Sequence, residues 1–139
     1  MTNRIRYPNA NNIISINRYI TALYGEPSKI DNVEKITRII DEVKAYSSGN
    51  SHRELVAAKS ALLLFRIAAA QQFFEGNKRT AYVVSVEFAE MNGYRLDISF
   101  EELYDLLNGI SIGKLTDQES IKSIFLAKIT SLRGDEAHG

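Results

Sequence analysis

The chain has 139 residues, 45% of them hydrophobic, and its 17 basic residues balance 17 acidic ones. This length predicts one domain, and the balanced charge argues against a nucleic acid or a membrane surface as a partner. With no cysteine, disulfides and thiolate metal sites are excluded. The polar N-terminus lacks the apolar core of a signal peptide, and no apolar tract is long enough to span a bilayer. We therefore expect a cytoplasmic location.

The first two predicted elements are amphipathic helices. In the first, apolar residues step by three and four positions: Ile13, Ile16, Ile20 and Leu23. Gly25 and Pro27 mark its end. The second opens at Asp31 to Glu34, which have capping-box spacing, and carries another apolar stripe: Val33, Ile36, Ile40 and Val43.

The third predicted helix is apolar on nearly all sides. Ser51 and Glu54 have capping-box spacing, and the apolar tract then continues from Leu55 to Phe74. A helix that is hydrophobic all round is normally buried. We therefore expect this helix at the centre of the fold.

Three further helices are predicted. The fourth follows a turn at Glu75 to Asn77 and stops at Asn92 and Gly93. Capping patterns start a fifth helix at Ser99 and a sixth at Thr116. The apolar residues of the sixth keep helical spacing: Ile121, Ile124, Phe125, Ile129 and Leu132. No run alternates as a strand, so the prediction is an all-α bundle of about six helices.

The stretch "QQFFEGNKRT", Gln71 to Thr80, combines groups suited to an anion. A glycine turn that opens a helix presents exposed N–H groups and the positive end of the helix dipole. Lys78 and Arg79 stand at the same place, and Glu75 could hold Mg²⁺, which usually takes one or two protein carboxylates beside substrate phosphates. From spacing alone, an ordinary turn with solvated charges is the favoured alternative.

The same stretch resembles the signature of the Fic/Doc (Fido) family, His-x-Phe-x-Asp/Glu-Gly/Ala-Asn-Gly/Lys-Arg. Six positions are in register: Phe73, Glu75, Gly76, Asn77, Lys78 and Arg79. The flanking segments "AAKSALLLFRIAAA" and "FAEMNGYRL" are also similar to those of the family. The resemblance covers residues 46 to 129, whereas residues 10 to 45 agree only in being helical. The compact chain and Lys78 are most similar to the Doc (death-on-curing) toxin branch.

This resemblance implies one all-α domain over residues 1–139, with residues 134–139 as a disordered tail. It implies a protein adenylyltransferase or kinase that takes ATP with Mg²⁺ and modifies a Ser, Thr or Tyr hydroxyl on a target protein. A toxin with a separate antitoxin partner fits, because the self-inhibiting segment of many Fic proteins is absent from the sequence.

The resemblance also assigns roles to individual residues. Glu75 would bind Mg²⁺, and Gly76 and Asn77 would shape the anion-binding turn. Lys78 and Arg79 would hold phosphates, with Arg79 acting in catalysis as well. Phe73 would anchor the loop by being buried.

The chain departs from the family pattern at Gln71, which stands where the family has its catalytic histidine. A neutral amide cannot accept the proton of the attacking hydroxyl, and loss of a general base costs about 10² to 10⁴ in rate. His52 is 19 positions away, about 28 Å along a continuous helix, so it does not replace the base. We expect it to be an exposed residue in the first turn of the third helix. Three explanations stay open: an impaired enzyme, an inactive pseudoenzyme that binds nucleotide or a partner, and a glutamine placed deliberately to silence a toxin.

Overall fold

The computed structural model of the chain describes residues 4–25, 33–47, 51–70, 77–111 and 118–132. Within these ranges the chain forms six helices and two short strands. The helices are α1 (Ala10–Leu23), α2 (Val33–Ala45), α3 (His52–Ala70), α4 (Asn77–Met91), α5 (Phe100–Ser111) and α6 (Gln118–Lys128). The strands are β1 (Tyr94–Leu96) and β2 (Ile129–Ser131). The predicted all-α class is confirmed. Over the described part of the chain, no helix is long and apolar enough to cross a membrane.

Helix α3 lies at the centre, as its apolar sequence predicts. It packs against α2, α4, α5 and α6. The residues that it contributes to the hydrophobic core run from Val56 to Ala68 and face several directions: Val56, Ala57, Ala61, Leu62, Leu63, Leu64, Ile67 and Ala68. Alanines in this set let neighbouring helices approach closely, while the leucines fill the space between them. The predicted tail and the C-terminal end of the tract, residues 71–74, lie outside the described residues.

Several predicted helix ends are confirmed. At the start of α5, the Ser99 amide donates to Glu102 Oε1 at 2.9 Å, and the Glu102 amide donates to Ser99 Oγ at 3.0 Å. These two bonds form a complete capping box. After α4, Gly93 has a φ of 93°, a left-handed conformation that glycine adopts without strain. The first residues of the capping patterns predicted at Asp31 and Thr116 lie outside the described ranges.

The prediction for the end of the sixth helix is wrong. Helix α6 stops at Lys128, and Ile129 starts β2, which pairs antiparallel with β1 in the register Leu96↔Ile129. The Lys128 carbonyl accepts a hydrogen bond from the Asp97 amide at 2.9 Å, and this bond begins the pairing. Ile129 is buried, but Leu132 is 46% exposed, so the two do not share a helical face. The chain gains backbone hydrogen bonds to a distant segment instead of a further helical turn.

Candidate functional site

The predicted cations lie in the first turn of α4, which we define as Asn77 to Thr80. The described part of α4 begins at Asn77, which the sequence pattern places in the turn before the helix. Its first turn contains Lys78 and Arg79 and no acidic residue, whereas the first turn of α5 contains Glu101 and Glu102. Two positive charges at the positive end of a helix dipole are unfavourable in the absence of an anion. A bound phosphate would relieve this repulsion.

Lys78 is held by helix α5. Its Nζ donates a hydrogen bond of 2.8 Å to Asn108 Oδ1 and lies 5.8 Å from the centre of the Tyr104 ring. The ammonium group is therefore kept beside the first turn of α4 rather than extended into solvent. Its remaining hydrogens can still be donated, because an ammonium has three.

Arg79 lies close to two aromatic rings from other helices. Its Cζ is 4.3 Å from the centre of the Tyr24 ring, which follows α1, and 5.1 Å from that of Phe100, the first residue of α5. A guanidinium attracts a ring through its face, while its N–H donors lie in its plane. These contacts restrict the side chain and leave the in-plane donors suited to an anion.

A groove of about 580 Å³ lies between α1, α4 and the start of α5. Arg79, Glu87 and Glu101 are the charged residues among those that line it. The α1 side of the groove is apolar and aromatic, with Tyr19 68% and Leu23 63% exposed. Leu23 was predicted to belong to the apolar stripe of the first helix, yet it faces the groove instead of the core. The volume is typical of small-molecule sites, which span about 300–1,000 Å³.

Tyr82 is part of the groove wall and stays protonated. Burial is the main cause that raises the pKa of its phenol, and the charges of Glu101, Glu102 and Glu90 raise it further. The phenol donates a hydrogen bond of 3.0 Å to the Ile98 carbonyl. Tyr82 therefore supports the wall and is not suited to be a general base near neutral pH.

Asn17 links α1 directly to the first turn of α4. Its Nδ2 donates to Thr80 Oγ1 at 3.0 Å, and both residues are fully buried. Sequence reasoning missed Asn17, although a signal was present: this polar residue lies between Ile13 and Ile20 on the apolar stripe of the first helix. It missed Tyr24, Phe100 and Asn108 as well, because nothing in local spacing shows that they approach α4.

The structure brings together part of the predicted site. Asn77, Lys78 and Arg79 share one helical turn, with Asn77 and Lys78 partly exposed and Arg79 exposed. Gln71, Phe73, Glu75 and Gly76 lie outside the described residues, so the roles expected of them stay predictions. The described ranges contain no group of three His, Cys, Asp or Glu side chains that could hold a metal ion. Glu75, the residue predicted to bind Mg²⁺, lies outside these ranges.

Comparison with models of protein families gives a match that includes this turn. A search of curated proteins gave no match. A family model described as the Fic/DOC family matches residues 7–89, from the segment before α1 into α4. The match includes the whole first turn of α4, and it also includes α1 and α2, where sequence reasoning found only helical character. Helices α5 and α6 follow the matched region. Because the match covers more than half of the chain, the chain belongs to the Fic/DOC family.

Proposed function

We propose that the chain binds ATP with Mg²⁺ at the first turn of α4 and is built to transfer part of ATP to a hydroxyl of a target protein. One observation carries this proposal: Lys78 and Arg79 stand at the positive end of a helix that has no acid in its first turn. Aromatic and amide side chains from other elements hold both cations there. Membership of the Fic/DOC family supports the same location.

Each residue of the site has a distinct role in this proposal. Gly76 and Asn77 present amides to a phosphate group, and Lys78 and Arg79 neutralise its charge. Glu75 is a single carboxylate that would hold Mg²⁺, an ion that usually takes only one or two protein carboxylates. When bound, Mg²⁺ would offset the negative charge of the phosphates. Positioning and charge neutralisation supply most of the rate in phosphoryl chemistry.

Proton removal is the weak step. The oxygen of the target hydroxyl attacks either the α- or the γ-phosphorus of ATP, the bond to pyrophosphate or ADP breaks, and the hydroxyl proton must pass to a base. Gln71 cannot accept it, and Tyr82 is protonated. His52 starts α3, about 27 Å along this helix from its other end. We therefore propose an impaired transferase, a toxin whose control comes from a separate antitoxin.

Gln71 also favours a second candidate function. A chain that keeps the phosphate-binding turn but lacks the base would act as a nucleotide- or partner-binding module without catalysis. The transferase and the nucleotide-binding module both require ATP to bind at the first turn of α4, and these two differ only in transfer.

Titration calorimetry with ATP and Mg²⁺ tests the shared step. We expect Arg79→Ala to weaken binding about 10- to 100-fold, because a charged hydrogen bond contributes roughly 1.5–3 kcal/mol. Arg95→Ala is the matched control, since Arg95 is exposed on β1, beyond the far end of α4, which lies about 18 Å along that helix from Arg79. The proposal that ATP binds at the first turn of α4 is wrong if the wild type and Arg79→Ala bind ATP with equal affinity. It is also wrong if the wild type binds no ATP at millimolar concentration.

A further inference from the structure

The hydrogen bond between Asn17 and Thr80 is a polar link within an apolar interface. Asn17 Nδ2 donates to Thr80 Oγ1 at 3.0 Å, with both residues 0% exposed. Ile13 and Ile20 flank Asn17 on the buried side of α1, and Ala81 and Val84 are buried on α4. Apolar contacts are non-directional, so they allow two helices to rotate slightly against each other. A buried hydrogen bond does not allow this, because rotation would leave its groups unpaired.

Through Thr80, this hydrogen bond fixes the directions in which the side chains of Lys78 and Arg79 project from α4. Successive residues of an α-helix project about 100° apart. Because Thr80 points at α1, Arg79 and Lys78 must project at about 100° and 200° from the direction of Thr80 around the axis of α4. A rotation of roughly 20° would move a side-chain tip, 5–6 Å from the axis, by about 2 Å. Displacements of 1 Å can already cost about 100-fold at a reaction centre.

The contacts of the two cations depend on the same rotation. Arg79 meets Tyr24 and Phe100 on one side of α4, and Lys78 meets Asn108 on α5. These neighbours are partly or largely exposed, and none of them pairs with α4 through a buried hydrogen bond. Among the described residues, the fully buried side-chain hydrogen bond that joins the first turn of α4 to another helix is the one at Asn17. Tyr82, in the next turn, donates to the Ile98 carbonyl through a bond that is only partly buried.

We infer that the Asn17–Thr80 hydrogen bond is a rotational lock that orients Lys78 and Arg79 for a phosphate group. Asn17 and Thr80 are positioning residues, because they act through the cations and do not touch the ligand. This inference rests on the proposed function, in which the two cations bind the phosphates of ATP.

Thr21 provides a matched control in the same interface. It is 1% exposed, and its Oγ1 donates to the Asn17 and Arg18 carbonyls within its own helix at 2.9 and 3.2 Å. Thr21→Val therefore makes the same chemical change as Thr80→Val without removing a bond between helices. A general effect of burying valine would appear in both variants.

The first measurement is the affinity of the full chain for ATP with Mg²⁺ by calorimetry. We expect Thr80→Val to raise the dissociation constant about tenfold, the effect of losing one buried bond and its orientation, and Thr21→Val to change it less than twofold. Thr80→Ser keeps the hydroxyl and should bind like the wild type. A Thr80→Val chain that binds as tightly as the wild type would overturn the lock.

A double variant separates positioning from stability. Replacing both partners of a buried hydrogen bond by apolar groups is often nearly neutral for folding. Asn17→Leu combined with Thr80→Val should therefore recover the melting temperature that Thr80→Val loses, while ATP binding stays about tenfold weaker. Recovery of both properties would show that the bond only stabilises the fold, and the inference would fall.

An NMR measurement tests the lock without a nucleotide. The Nε–Hε signal of Arg79 should be shifted by the ring currents of Tyr24 and Phe100, and it should move in Thr80→Val but not in Thr21→Val. If the wild type binds no ATP, the proposed function fails, while this signal still reports on the lock. If the signal does not move in Thr80→Val, the lock fails even when ATP binding is intact.

Discussion

His52 contacts a residue that lies far from it in the sequence. Its Nδ1 is 2.9 Å from the hydroxyl of Tyr94, and the two ring centres are 5.5 Å apart. From the sequence, His52 was expected to be an exposed residue of a first helical turn. It does start α3, but it is partly buried against β1, and this burial lowers the pKa of His52. The contact joins the start of the central helix to the two-stranded sheet.

The lowered pKa of His52 predicts a pH dependence of stability. The folded chain holds His52 neutral at pH values where the unfolded chain, with an ordinary pKa of about 6.5, already binds a proton. The free energy of unfolding should therefore fall as the pH drops from 7.5 to 5.5, and this can be measured by urea denaturation at both pH values. His52→Gln should remove the decrease.

His138, outside the described residues, supplies the control for this experiment. His138→Gln should keep the dependence, since the prediction assigns it to His52. Glu102 does not interfere, because hydrogen bonds from Ser99 lower its pKa and its titration lies further from this pH range. The explanation is wrong if His52→Gln retains the full decrease between pH 7.5 and 5.5.

At the scale of the helices, a buried lysine caps the C-terminal end of α2. Lys59 of α3 is only 2% exposed, and its Nζ donates to three backbone carbonyls, those of Val43, Lys44 and Tyr46. The last carbonyls of a helix have no partner within the helix and carry its negative dipole end. A cation at this position satisfies them and connects α2 to the central helix. In the sequence, Lys59 only interrupted an apolar tract.

Replacing Lys59 should therefore destabilise the chain strongly. Lys59→Met keeps much of the side-chain length but leaves the carbonyls without a donor, and we expect a loss of about 2–4 kcal/mol in the free energy of unfolding. Lys44→Met is the control, since Lys44 is an exposed lysine in the last turn of α2, and it should cost less than about 0.5 kcal/mol. Urea denaturation compares the two, and equal losses would contradict this role of Lys59.

Local patterns predicted the helix starts and stops better than the change from helix to strand. The Ser99 capping box and the left-handed Gly93 follow from a few adjacent residues, and both are confirmed. The end of α6 does not follow from such a pattern, because Ile129 continues the helical spacing of Ile121 and Phe125. A strand of three residues is too short to show alternation. Its partner, β1, lies more than thirty residues earlier, so only the folded chain reveals the pairing.

At the scale of the whole molecule, three parts of the chain build the surroundings of the candidate site. The cations of α4 were predicted from a short motif, since helix start and charge are local properties. Their neighbours Tyr24 and Phe100 come from the end of α1 and the start of α5. Such long-range contacts depend on how the helices pack around α3, and one sequence carries no direct signal for them. The motif thus predicts where the candidate site lies, and the fold determines which residues surround its cations.

Restoring a base at position 71 tests whether this assembled site can catalyse transfer. We expect Gln71→His to increase transfer from labelled ATP to the chain itself or to a lysate protein by about 10² to 10⁴, or roughly 3–5 kcal/mol in activation free energy, because only proton removal is lacking. ATP labelled at the α- or γ-phosphate distinguishes nucleotidyl from phosphoryl transfer.

Two further variants are the controls for Gln71→His. Gln72→His places a histidine one position away and should not increase transfer. Adding Arg79→Ala to Gln71→His should abolish the increase. If Gln71→His binds ATP but transfers neither label, the chain is a binding module and the proposal of a transferase is wrong. If the unaltered chain transfers label as fast as Gln71→His, the argument that a base is missing is wrong.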